Sequence, residues 1–287
     1  MCCCVLKRRL SYVAIAVIAA VLNVCAQDEY ADVVGRAMVA MEQDSLAKAE
    51  GLIREGIHLK PADKATAVLY QYLGEICVRQ KRDKEALQAF TDGLALQSGN
   101  ENLLIDRASL FLTMGVEDRA LTDLDVLLRL NPDHAQGLFF RAYVFRKKHL
   151  MAKARRDYEH LIVLENDNRE ARIALAMLNA DDNRPQEAME QADVVVRYWP
   201  EYATGWIVRG GLHQKRLNFE MALHDMNEAI RLEPGNPDFY VSRAILYRDF
   251  KKKALAREDF AKAVRLGADP VECASLMLTD RKGRKAK

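Results

Sequence analysis

Half of the 287 residues are apolar and 29% are charged, a composition that supplies a core and excludes wholesale disorder. With 14 glycines and 7 prolines the chain is too poor in turn residues for an all-β fold. Beyond residue 26, 40 Lys+Arg stand against 41 Asp+Glu, which argues against a nucleic-acid partner, because phosphate binding wants a strongly basic face.

Residues 1–26 stand apart. Lys7, Arg8 and Arg9 precede an apolar run from Leu10 to Val24, and the run closes with Cys25 and Ala26 before the polar Gln27. This pattern predicts a signal peptide cut after Ala26, and hence an exported chain, periplasmic or envelope-associated. Membrane contact is expected only if the run stays uncut as an anchor. Acylation at Cys25 is disfavoured by the bulk of Val24 before it. Cys77 and Cys273 remain, 196 residues apart, and read as buried small hydrophobes rather than partners in a disulfide.

From Ala67 to Pro270 a period of 34 residues runs without a gap through six units, beginning at residues 67, 101, 135, 169, 203 and 237. The eighth place of each unit holds Gly74, Ala108, Ala142, Ala176, Gly210 and Ala244; the twentieth holds Ala86, Ala120, Ala154, Ala188, Ala222 and Ala256. Small residues at two fixed places predict two antiparallel helices in closest approach, where a larger side chain would overpack. Bulky residues recur beside them, among them Phe111, Phe145 and Tyr247 at the eleventh place and Phe90, Tyr158 and Phe260 at the twenty-fourth. Pro132, Pro200 and Pro234 at the thirty-second place end the second helix, and Asn236–Pro237 offers a cap and first-turn proline to the next. A more divergent unit covers residues 27–66, with Ala37, Ala49, Ile53 and Pro61 in register. Residues 271–280 read as a capping helix, and 281–287 as a basic, solvated tail.

A second regularity concerns charge. Arg107, Arg141, Arg209 and Arg243 occupy the seventh place, and in the same four units Asp123, Asp157, Asp225 and Asp259 occupy the twenty-third. The other two regular units lack both. Charges that arrive and leave together predict Arg–Asp pairs, within a unit or between neighbours, that fix register.

The unit resembles the tetratricopeptide repeat, whose 34-residue helix–turn–helix carries a Leu-Gly pair, a later Ala, an aromatic residue and a Pro; Leu73, Gly74, Ala86 and Phe90 match it most closely. The resemblance implies an all-α, right-handed superhelical solenoid in which the first helix of each hairpin lines a concave wall. It also implies groove-facing residues at the second, fifth, ninth and twelfth to thirteenth places. The candidate partner-binding residues are then Ile105, Phe139, Ile173, Ile207 and Val241 at the fifth place, Tyr143, Met177 and Ile245 at the ninth, and Arg146 and Arg248 at the twelfth. The fifth place could equally pack against the neighbouring unit. The Lys and Asn that some family members use to clamp a carboxylate are missing, since Ile105, Phe139 and Ile207 stand there.

No P-loop, G-x-G-x-x-G, C-x-x-C or H-E-x-x-H occurs, and the six histidines are scattered, which implies no catalytic site, no metal and no cofactor. The sequence therefore predicts a non-enzymatic scaffold that holds a protein or peptide partner, with no small-molecule substrate, in a bacterial cell envelope. A self-associating structural spacer is the alternative.

Overall fold

The computed structural model describes residues 29–278, and the leader and tail read from the sequence lie outside them. Fifteen α-helices and one 3₁₀ turn make up the described residues, with no strand among them. The first two helices are α1 (29–42) and α2 (Leu46–Leu59), followed by the 3₁₀ turn Lys64–Thr66. Then come α3 (Ala67–Arg79), α4 (Asp83–Leu96), α5 (Glu101–Thr113), α6 (Glu117–Leu130), α7 (Ala135–Lys147) and α8 (Met151–Leu164). The last are α9 (Arg169–Asp181), α10 (Pro185–Tyr198), α11 (Ala203–Lys215), α12 (Phe219–Leu232), α13 (Pro237–Asp249), α14 (Lys253–Arg265) and α15 (Pro270–Leu278). Every first helix from α3 to α13 begins on the first residue of a sequence repeat.

The chain divides into two compact units, Met1–Gly137 and Leu138–Lys287. In each, consecutive helices pair into antiparallel hairpins and the hairpins stack on their sequence neighbours. The alanines of the eighth and twentieth places are at most 1% exposed. The approach is closest at Gly74, where a Cβ would meet the Phe90 ring at 2.2 Å, and it is tight at Gly210, where a Cβ would lie 3.3 Å from the Ala222 carbonyl oxygen. Phe90, Leu124, Tyr158, Met226 and Phe260 fill the space alongside. Ala37, Ala49 and Ile53 are fully buried, so α1 and α2 form a hairpin of the same kind. α15 starts one residue before the expected cap and lays Cys273 on Tyr240 and Phe260.

The turn between the two helices of each hairpin repeats a feature that residue types alone conceal. Its fifteenth place has positive φ in every hairpin: Lys81, Gly115, His149, Asn183, Leu217 and Lys251, with Asp44 in the first. The next N–H reaches back five residues to the first helix, as in Arg82 to Cys77 and Lys252 to Tyr247, both 2.8 Å. This closure satisfies carbonyls that the helix end would orphan, and it usually recruits glycine. Here only Gly115 is one. At the opposite turn Asn100 and Asn168 accept from the third N–H of the following helix, and His134 Nδ1 accepts from Gly137 N–H at 3.1 Å. His134, one of the scattered histidines, thus caps α7.

Candidate functional site

The repeated arginines bind the stack. Nε and Nη2 of Arg107 donate to the two carboxylate oxygens of Asp123 at 2.8 and 2.7 Å; Arg141–Asp157, Arg209–Asp225 and Arg243–Asp259 repeat that fork at 2.7–2.9 Å. All four aspartates are buried. In three of the hairpins the remaining Nη1 turns to the second helix of the preceding hairpin: Arg107 to Thr91, Arg209 to Asp193 and Arg243 to Asn227. One guanidinium thus joins three helices, within a unit and between neighbours at once. The twenty-fifth-place acceptors Thr91, Asp193 and Asn227 escaped sequence reasoning, although a hydrogen-bonding residue 16 positions before each of these arginines was a usable signal. Asp225 also has His224 Nδ1 at 3.2 Å and His213 Nε2 at 3.9 Å, and burial holds the His213 pKa below its ordinary value.

The candidate partner-binding residues divide sharply. Ile105 and Ile173 are 6% exposed and present almost nothing to a partner. Phe139, at the same place, rests edge-on against Tyr158 of its own hairpin, ring centroids 5.7 Å apart. Ile207 packs on clusters around Met226 and Phe239, while Val241 and Ile245 pack on Tyr240 and Phe260. The fifth place therefore faces helix packing, because that side of the first helix turns toward its own partner and the next hairpin. Of the two directions open to the fifth place, Ile105 and Ile173 take the packed one. Arg146 is held by Asp181 at 2.8 Å, and Arg248 by Asp249 at 2.7 Å and the Leu276 carbonyl at 2.6 Å.

What remains open is the ninth place of α7, α9 and α11, since Ile245 at that place of α13 is packed. Tyr143 and Met177 are 37% and 39% exposed, and Gly211, the next residue in that row, would have nothing within 4 Å of a Cβ. Two hollows adjoin them. One of about 540 Å³ is lined by Tyr143, Arg146, Lys147, His149, Met151 and Asp181. Another of about 420 Å³ lies among Met177, Asp181, Ile207, Gly211, Lys215 and Asp249. Each combines an apolar floor with charged walls of both signs, which suits a peptide segment with one apolar anchor and polar flanks.

In Met1–Gly137 the same row is polar. Gln71 Nε2 donates to both Glu75 and Asp106 at 3.0 Å, bridging two carboxylates of α3 and α5. Burial, then the charge of Glu75, pushes the Asp106 pKa up to about 6; burial also raises Glu75. Among the described residues no group of His, Cys, Asp and Glu is placed to hold a metal, and no helix is long and apolar enough to cross a membrane. Cys77 and Cys273 are buried, unpaired thiols whose pKa burial raises.

Stacked two-helix repeats with an open row on their first helices define a repeat scaffold. Residues 207–270 match the family model of the tetratricopeptide repeat. A tetratricopeptide repeat protein from Parabacteroides merdae superposes with a TM-score of 0.75 at 23% identity, over 86% of this chain and 97% of that one. PilF from Pseudomonas aeruginosa gives 0.62 at 15% identity, over 79% and 99%. Outer dynein arm-docking complex subunit 4 of Mus musculus is 38% identical over 58 residues, 20% of this chain and 9% of that protein. Human protein O-mannosyl-transferase TMTC3 is 21% identical over 261 residues, 77% of this chain and 28% of that one. The chain spans less than a third of the length of either curated relative. With the 34-residue register continuing beyond the matched residues, the chain has the fold of stacked tetratricopeptide repeats. Repeats of this kind generally serve as non-catalytic scaffolds for protein and peptide partners.

Proposed function

We propose that this chain is a non-enzymatic scaffold in a bacterial cell envelope, exported on its leader, and that it holds a protein or peptide segment against α7, α9 and α11, the first helices of their hairpins. The observation that carries the reading is the open row of Tyr143, Met177 and Gly211 beside the two hollows. A rigid stack fixes these positions before the partner arrives, so little ordering of the scaffold opposes binding. Export rests on the Lys7–Ala26 pattern, and the mass of exported material should correspond to a chain starting at Gln27. An intact Met1 start would make the leader an anchor.

Two variants test the site. Tyr143→Asp with Met177→Asp places charge on the apolar floor. Gly211→Leu fills the smaller hollow while replacing a helical glycine, and so should hold or raise stability by up to about 1 kcal/mol. In affinity capture from envelope extract, a protein retained by wild type and lost from both variants supports the site. A partner held equally by all three chains would remove this face from consideration.

A further inference from the structure

The two edges of the Leu138–Lys287 stack carry opposite charge. The turns within hairpins lie side by side on one edge: Arg146 of α7 bonds Asp181 of α9, Gln214 of α11 bonds Asp249 of α13, and Arg216 bonds the Pro185 carbonyl. The turns between hairpins line the other, where Arg169 lies 3.8 Å from Glu201 and stacks 4.3 Å over Tyr202. On the first edge, segments 147–153, 181–187, 215–221 and 249–255 hold nine Lys+Arg against five Asp+Glu. Four of those five acids answer an arginine: Asp181 pairs with Arg146, Asp182 with Arg155, Glu187 with Arg184 and Asp249 with Arg248. The exposed lysines give the edge its sign, Lys251, Lys252 and Lys253 most densely. On the second edge, segments 165–170, 199–204, 233–238 and 267–272 hold eight Asp+Glu against Arg169, which pairs with Glu170 and Glu201, and against Arg172, which reaches in to the Asn166 carbonyl, so the edge keeps an acidic excess. Arg231, at the end of α12 behind that edge, is turned back onto Glu228.

From this we infer a second copy of the chain as a partner, docking its acidic edge along the basic edge of the first. Charge complementarity selects the occupant, and the repeat supplies the register. Both edges of one stack advance by the same step per hairpin, so when one acidic turn meets one basic turn the following turns meet as well. Each exposed contact is weak, but several in a row act together. Leu150 and Leu217, 41% and 58% exposed on the basic edge, and Leu164, 40% exposed on the acidic one, add apolar contact. Because the two edges differ, the contact is head-to-tail and does not close on itself, which predicts open strips whose length grows with concentration.

The test is sedimentation velocity of the full chain at about 0.02 M and about 0.5 M salt, since screening over a few ångströms at the higher value should dissolve a contact between exposed charges. Wild type should associate with concentration at low salt and be monomeric at high salt. Lys148→Glu with Lys251→Glu and Lys253→Glu makes both edges acidic; Asp167→Lys with Glu201→Lys, Glu233→Lys and Glu272→Lys makes both basic. Each variant alone should be monomeric, and mixing the two should restore association. Circular dichroism melts matching wild type establish that the variants fold, and single reversals at Lys253 and Glu201 replace them otherwise. A wild type monomeric at low salt, or reversed variants that associate as wild type does, overturns the inference. So does wild-type binding to phosphatidylglycerol vesicles that only the first variant loses while no self-association occurs, which would give the basic edge to a lipid surface.

Discussion

Asp225 has no exposed surface, and its charge is tolerated because Arg209 meets both oxygens while binding Asp193 on the hairpin before. Removing one member of such a group strands the other. Arg209→Met should cost about 3–5 kcal/mol in urea denaturation, and adding Asp225→Leu should recover most of it, because a buried fork fixes arrangement more than it adds net stability. A double variant as unstable as the sum of two singles would show that the pair acts independently. The sequence disclosed these pairs because both partners recur at fixed places and vanish together. It could not disclose the left-handed turn residues, because Lys81, Leu217 and Lys251 carry no type preference for positive φ. That conformation costs a non-glycine residue about 1–2 kcal/mol, and Leu217→Gly should relieve much of it. A higher urea midpoint with an unchanged slope is the expected reading.

Between elements, the closest contacts answer to volume and charge. Ala154 is fully buried where α8 meets α7, so Ala154→Leu should destabilise by about 1–3 kcal/mol through overpacking, seen as a lower melting temperature. That contact was legible in the recurrence of Gly or Ala at the eighth place and of Ala at the twentieth. The direction of the fifth place was not, since groove and neighbour both lie on the apolar side of the first helix, and only packing shows that Ile105 and Ile173 face inward. Across α3 and α5 the relevant quantity is charge. Asp106 has a folded pKa of about 6 against an ordinary 3.8, so between these values the folded chain keeps a proton that the unfolded chain has released. Stability from this group therefore falls as pH rises through that window. Asp106→Asn should stabilise at about pH 7 by at most about 3 kcal/mol, less where solvent screens the half-buried carboxylate, and should make little difference at about pH 4. A variant whose gain in melting temperature is the same at both values would remove Glu75 repulsion and burial as the cause.

At the scale of the whole molecule the 34-residue step makes hairpins interchangeable parts, each stabilised by itself and by its neighbours. Deleting residues 169–202 would join Asn168 to Ala203 with the cap, the turn and the small places all in register. Arg209 would lose Asp193, but the residue 16 positions earlier in the shortened chain would be Glu159, another acceptor. Arg146 would lose Asp181 and face Lys215 at the same place, a repulsion that Lys215→Asp would turn back into a pair. The shortened chain should fold with the helix content per residue of the parent and one fewer neighbour interface, and Lys215→Asp should raise its melting temperature while doing less in the parent. A deletion of 24 residues, 169–192, removes more of one hairpin than it leaves and breaks the register of every place after it; that chain should lose cooperative unfolding. If both deletions unfolded alike, nearest-neighbour packing would not be what specifies the fold, and the exact sequence period would need another cause.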